Sequence, residues 1–102
     1  MVLKIIWSPL ALQSYLNNIA YLERAWTKKE VTNFIKSTEE KLELLKKFPG
    51  MGYSSQKNRF LKKTLIGKRI ILIYRYKPAK NKIELMRFFN TWQDPRLSPE
   101  VV

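Results

Sequence analysis

The sequence predicts an α+β fold in the order β-α-α-β-β-β, an antiparallel sheet packed against a two-helix hairpin. Three observations carry that expectation. The first half of the chain holds two stretches with apolar residues at helical spacing. The second half switches to period-two alternation. Pro, Gly and polar capping residues mark the joints between them. With 102 residues, 45% of them hydrophobic, the chain has room for one domain spanning 1–102 and a thin core.

Leu3 to Trp7 is a short apolar run rich in β-formers, which suits a buried strand. It ends at Ser8-Pro9, where Ser8 can cap a helix through its hydroxyl and Pro9 fits the first helical position. The first helix is expected from Pro9 to about Arg24. Leu12, Leu16 and Ile19, joined by Tyr15 and Leu22, form its apolar stripe, and Gln13, Asn17 and Glu23 its exposed face. Thr27-Lys28-Lys29-Glu30 reads as a capping box, opening a second helix that extends to about Lys47. Val31, Phe34, Ile35, Thr38, Leu42 and Leu45 share one of its faces, and Pro49-Gly50 ends it. Glu39, Glu40 and Glu43 read as its solvated side, spaced to pair with Lys36, Lys46 and Lys47.

Gly50 to Asn58 reads as a polar loop. Strands are expected at Arg59 to Leu65, Arg69 to Tyr76 and Ile83 to Phe89, with turns at Ile66-Gly67-Lys68 and Pro78-Ala79-Lys80-Asn81. Such short links make an antiparallel meander. In the middle strand Ile70, Leu72, Tyr74 and Tyr76 point one way, and Arg69, Ile71, Ile73 and Arg75 the other.

Twenty Lys and Arg against eight Asp and Glu give a net charge of +12. That balance favours polyanionic partners: nucleic acid, a ribosome, an anionic membrane surface or an acidic protein. The excess is local. Residues 1–56 hold eight basic and five acidic residues, whereas residues 57–87 hold eleven basic residues and one acid, Glu84. The expected sheet therefore carries the charge, and strands display cations rigidly enough to meet phosphates. Phe60, Tyr74, Tyr76, Phe88, Phe89 and Trp92 interleave with those cations. Stacking beside cations is one signature of single-stranded RNA recognition. Each aromatic taken singly reads first as core, except Trp92, which follows the last strand in a polar tail.

The chain has no Cys and no His. Disulfides, thiolate metal sites and cysteine nucleophiles are excluded, and so is the commonest general base near neutral pH. The acids show no ligand-like spacing, so no metal, cofactor or small-molecule ligand is expected. No apolar run approaches the ~20 residues that span a bilayer, and residues 1–7 do not read as a signal peptide. A soluble cytoplasmic chain is the expectation.

Four short motifs occur in order: Trp7-Ser8-Pro9-Leu10-Ala11, Phe48-Pro49-Gly50-Met51-Gly52, Gly67-Lys68-Arg69-Ile70-Ile71-Leu72-Ile73-Tyr74, and Phe88-Phe89-Asn90-Thr91-Trp92-Gln93-Asp94-Pro95. With the element order, length and charge, they resemble the RelE/ParE superfamily, the plasmid stabilisation toxins of bacterial type II toxin–antitoxin systems. The resemblance covers nearly the whole chain. It implies a toxin neutralised by an acidic antitoxin that is partly disordered when free.

The activity implied first is that of an mRNA interferase, a metal-independent endoribonuclease that cuts mRNA on the ribosome and so blocks translation. The alternative is a ParE-like inhibitor of DNA gyrase, which cleaves nothing. A third reading is a non-toxic basic RNA-binding module. For cleavage, the resemblance places Arg69 on the family's phosphate-binding arginine, two residues after Gly67, and Lys62 on one of two lysines in the preceding strand. Phe60 stands where the other lysine is expected and Trp92 near an expected arginine. The tyrosine expected further on has no counterpart in Arg96-Leu97-Ser98. Lys63, Arg59, Arg87 and Trp92 are expected to contact substrate.

Overall fold

The computed structural model describes residues 3–54, 61–67 and 69–90. Strand β1 (Lys4–Trp7) leads into helices α1 (Pro9–Ala25) and α2 (Lys28–Lys47). Strands β2 (Tyr53–Ser54), β3 (Leu61–Ile66), β4 (Ile70–Lys77) and β5 (Lys82–Asn90) follow, with one 3-10 turn at Pro78–Lys80 between β4 and β5. The five strands form one sheet in the order β1-β5-β4-β3-β2.

The two helices start differently. Ser8 Oγ accepts the Ala11 N–H at 2.9 Å and donates to the Met86 carbonyl at 3.2 Å, so the α1 cap also ties the helix to β5. Pro9 occupies the first turn, where no N–H is needed. At α2 the reciprocal capping box does not form. The Thr27 side chain makes no cap bond; its carbonyl instead receives the N–H groups of Glu30 at 3.0 Å and Val31 at 3.4 Å. Glu30 in the first turn and Lys46 and Lys47 in the last still complement the helix dipole.

The meander β3-β4-β5 is antiparallel, as its short links require. Two features were not legible in the sequence. β1 runs parallel to β5, from Lys4 opposite Lys82 to Trp7 opposite Leu85, so the sheet is mixed. A parallel neighbour needs a long connection, and here both helices and the meander supply it. The segment expected as a loop also contains β2, which pairs Tyr53 with Lys63 and Ser54 with Lys62. Two residues are too few to show an alternation.

The core lies between the helices and one face of the sheet. Ala11, Phe34 and Leu45 meet Ile66, Ile70, Leu72, Tyr74, Ile83, Leu85 and Phe88. Each large aliphatic side chain buried there contributes about 1.5–3 kcal/mol. Rings of Trp7, Tyr15, Phe34 and Phe88 pack together, with Trp7 and Phe88 stacked at 5.6 Å and Trp7 edge-on to Tyr15 at 5.1 Å. A smaller cluster of Ile71, Ile73 and Phe89, with Leu61 and Met86 against it, occupies the opposite face. The alternation expected for β4 is thus present.

Helix α1 is turned relative to the expected stripe. Leu12 and Leu16 are half exposed, while Ala11, Ser14 and Asn18 are buried. The cause is the end of β1. β5 outruns β1, so the outward backbone groups of Phe88 need other partners. Ser14 Oγ accepts the Phe88 N–H at 2.9 Å, and Asn18 Nδ2 donates to the Phe88 carbonyl at 3.4 Å and to Ser14 O at 2.8 Å. Small polar residues therefore occupy the inward face. Among the described residues, no helix is long and apolar enough to cross a membrane.

Candidate functional site

Strand register places the charged residues in rows on the outer face of the sheet, away from the helices. One row runs Tyr53, Lys63, Ile73, Arg87 across β2 to β5. The next runs Leu61, Arg75, Glu84, Ile6. A third holds Lys77, Lys82 and Lys4. On the other side of the first row lie Leu65, Ile71 and Phe89. Neighbours within a row stand about 4.8 Å apart, and rows recur about every 6.6 Å along the strands.

These three rows carry six cations, Lys4, Lys63, Arg75, Lys77, Lys82 and Arg87, and one acid, Glu84. Glu84 bridges Lys77 at 3.1 Å and Lys82 at 3.7 Å. The hydrogen bond from Lys77 holds its carboxyl below the ordinary carboxylate value, helped by the charges of Lys77, Lys82 and Arg75. Arg87 Cζ sits 4.3 Å from the centre of the Phe89 ring. Such a contact restrains the side chain and is worth about 0.5–1 kcal/mol at an exposed site.

The sequence-predicted residues fall in different places. Lys63 and Arg87 share the first row and flank the buried Ile73. Lys62, adjacent to Lys63, takes the opposite face; its Nζ donates to Ser54 Oγ at 3.1 Å. Arg69 is exposed in the turn that closes the β3–β4 hairpin, just before Ile70. Ile66 pairs with Ile70 at that end, and Lys62 pairs with Tyr74 toward the other. Four residue steps of strand, about 13 Å, separate those pairs, so the backbones of Lys62 and Arg69 stand toward opposite ends of the hairpin. Arg59 and Trp92 lie outside the described residues, as do Phe60 and residues 96–98. Of the interleaved aromatics that are described, Tyr74 and Phe88 are core, Tyr76 packs against it, and Phe89 belongs to the outer cluster.

The outer face also holds an aromatic that sequence reasoning missed. Tyr53 is 74% exposed, beside Lys63 in register. Its backbone is held from below. Tyr74 Oη accepts the Gly52 N–H at 3.0 Å and donates to the Pro49 carbonyl at 3.0 Å. Burial pushes the Tyr74 phenol above its ordinary value, against a smaller lowering by the Gly52 N–H, which keeps it able to donate. A Cβ at Gly52 would lie 2.6 Å from Tyr74 Oη and 2.8 Å from Lys63 O, so only glycine fits. The glycine before Tyr53 was the one available sequence signal.

The solvent side of α2 carries a local patch of acids among its lysines. Glu39, Glu40 and Glu43 line a shallow groove of about 410 Å³ with Leu44 and Lys47. Glu43 pairs with Lys46 at 3.2 Å. Among the described residues, no cluster of acids is arranged to hold a metal ion.

No protein-family model matches the chain, and no curated protein matches it in sequence. Solved structures do match. A chain of the chromosomal ParDE TA system from P. aeruginosa superposes with a TM-score of 0.69 at 10% identity, covering 86% of this chain and 95% of that one. The YoeB/ParE toxin from Agrobacterium tumefaciens superposes with a TM-score of 0.62 at 12% identity, covering 86% of this chain and 98% of that one. The chain thus has the RelE/ParE-type fold, two helices on one face of a five-stranded mixed sheet.

Proposed function

We propose that this chain is the toxin of a bacterial type II toxin–antitoxin pair, acting in the cytoplasm to block translation by ribosome-dependent mRNA cleavage. The observation that carries the reading is the outer sheet face, where six cations stand in register against one acid. Rigid strands hold those charges at fixed spacing, which favours a regular polyanion over a single small anion. The likeness to a ParDE system and to a YoeB/ParE toxin supports a toxin with an antitoxin partner. An acidic segment of that partner would neutralise the same cations.

RNA cleavage requires the ribose 2′-OH to be activated, the phosphate held and the leaving 5′-oxygen protonated. With no His or Cys in the chain, Lys and Arg supply the charge stabilisation. Lys63 and Arg87 serve as phosphate contacts in this reading, and Arg69 as the arginine at the hairpin end. Lys62 stands toward the other end of β3 from Arg69, so Lys62 serves as a separate phosphate contact in this reading. The test uses purified ribosomes programmed with a defined mRNA. The wild-type protein is expected to generate cut products, and Arg69→Ala and Arg87→Ala to reduce them sharply. Intact mRNA with wild-type protein contradicts the reading.

The placing of Lys62 and Arg69 toward opposite ends of the hairpin also suits a second reading, a gyrase inhibitor that needs surface complementarity and no catalytic set. The ParDE likeness is compatible with it. Loss of gyrase supercoiling at micromolar protein, with mRNA uncut, supports that reading over the first.

A further inference from the structure

We infer that Tyr53 is an aromatic platform on which a base of single-stranded RNA stacks, with Lys63 and Arg87 taking the adjoining backbone phosphates. The inference rests on the reading of the chain as an RNA-directed toxin and assigns that surface a base-contacting residue.

Three observations converge on Tyr53. It is a large ring, 74% exposed, and its burial against the protein does not explain its presence. It stands in register beside Lys63, in the row that ends at Arg87. Lys63 is about 5 Å away across one strand spacing and Arg87 about 14 Å across three. Its backbone is also fixed. The Tyr74 hydroxyl clamps Pro49 and Gly52, and Gly52 lies too close to Lys63 O and Tyr74 Oη to admit a side chain. A ring held out from a clamped strand loses little freedom when a ligand covers it, because only its own two torsions are fixed.

Cations alone would bind duplex and single strand alike. A ring beside them selects a ligand with an accessible base face, which a duplex does not offer. Stacking tolerates every base, so the site adds affinity and position with little sequence preference. Ile73, buried between Lys63 and Arg87, leaves an apolar gap across which the backbone would pass from one cation to the other.

The test measures the affinity of a labelled short oligoadenylate RNA by fluorescence anisotropy over a salt series. Tyr53→Ala is expected to weaken binding about 5- to 150-fold with an unchanged salt slope, since no charge is removed. Tyr53→Trp is expected to retain the affinity. Lys63→Ala and Arg87→Ala are each expected to flatten the slope by about 0.7. Thermal unfolding of Tyr53→Ala should match the wild type, because the side chain is exposed.

Binding within about twofold of wild type for Tyr53→Ala, or equal affinity for duplex and single strand, overturns the inference. So does a Tyr53→Ala protein that keeps its RNA affinity but loses a co-expressed protein partner, which puts a protein on this ring. The ribosome assay run in parallel separates this inference from the reading it rests on. Tyr53-dependent RNA binding with intact mRNA sinks the nuclease and keeps the platform. Equal cutting by wild type and Tyr53→Ala, with equal affinity, sinks the platform and keeps the nuclease.

Discussion

Tyr74 shows how a single core side chain can organise a surface. Its ring is fully buried under the helices, and its hydroxyl reaches the Pro49–Gly52 segment that presents Tyr53. Replacing Gly52 by Ala would press a methyl group into Tyr74 Oη and the Lys63 backbone. That overlap should destabilise the protein by about 1–3 kcal/mol, read as a lower urea midpoint, and should weaken RNA binding with it. A Gly52→Ala protein as stable as wild type contradicts the clamp. Glu84 makes a different prediction. Its folded carboxyl is held below its ordinary value of 4.5 by Lys77 first, so its contribution is present above that value. The contribution is lost as pH falls from 4.5 through the lowered folded value. Glu84→Gln should therefore show a shallower loss of stability over that acid range. Parallel acid curves for the two proteins exclude the linkage.

At the scale of elements, the two helix starts differ by one hydrogen-bonded hydroxyl. Ser8 Oγ bonds both the first turn of α1 and the Met86 carbonyl, whereas the Thr27 side chain makes no cap bond. Ser8→Ala should cost about 1–2 kcal/mol and Thr27→Ala clearly less, as compared by urea unfolding. Equal losses contradict this assignment of the caps. The same scale shows what the sequence could reveal. The bounds of α1, α2, β4 and β5 follow from periodicity, Pro9, Pro49 and the Pro78 turn, all local signals. The rotation of α1 was hidden because Leu12 and Leu16 continue a helical stripe. The deciding partners, Ser14 and Asn18 with the Phe88 backbone, lie 70 or more residues away in sequence. The β1–β5 pairing and β2 were hidden for the same reason, since neither leaves a repeat to detect.

Across the whole molecule, the excess positive charge belongs to the sheet, while the helices are nearly balanced. The solvent side of α2 interleaves Glu39, Glu40 and Glu43 with Lys36, Lys46 and Lys47, while the outer sheet face carries Lys4, Lys63, Arg75, Lys77, Lys82 and Arg87. The sequence made the sheet's excess legible, because residues 57–87 hold eleven basic residues against one acid. It did not show that Lys63 and Arg87 share a row, because that depends on register. An acidic antitoxin segment that covers this face should raise the melting temperature with its concentration. It should also compete with RNA, more weakly at high salt. Simultaneous binding of RNA and antitoxin without competition would place them on separate surfaces.

In the proposed reading, this fold with its cationic outer face stops translation. Pulse-labelling of protein and DNA synthesis after induction of the chain alone in bacteria tests it most directly. An early fall in protein synthesis while DNA synthesis continues is expected. An early fall in DNA synthesis with translation intact would contradict it and turn the outer face into a docking surface for gyrase.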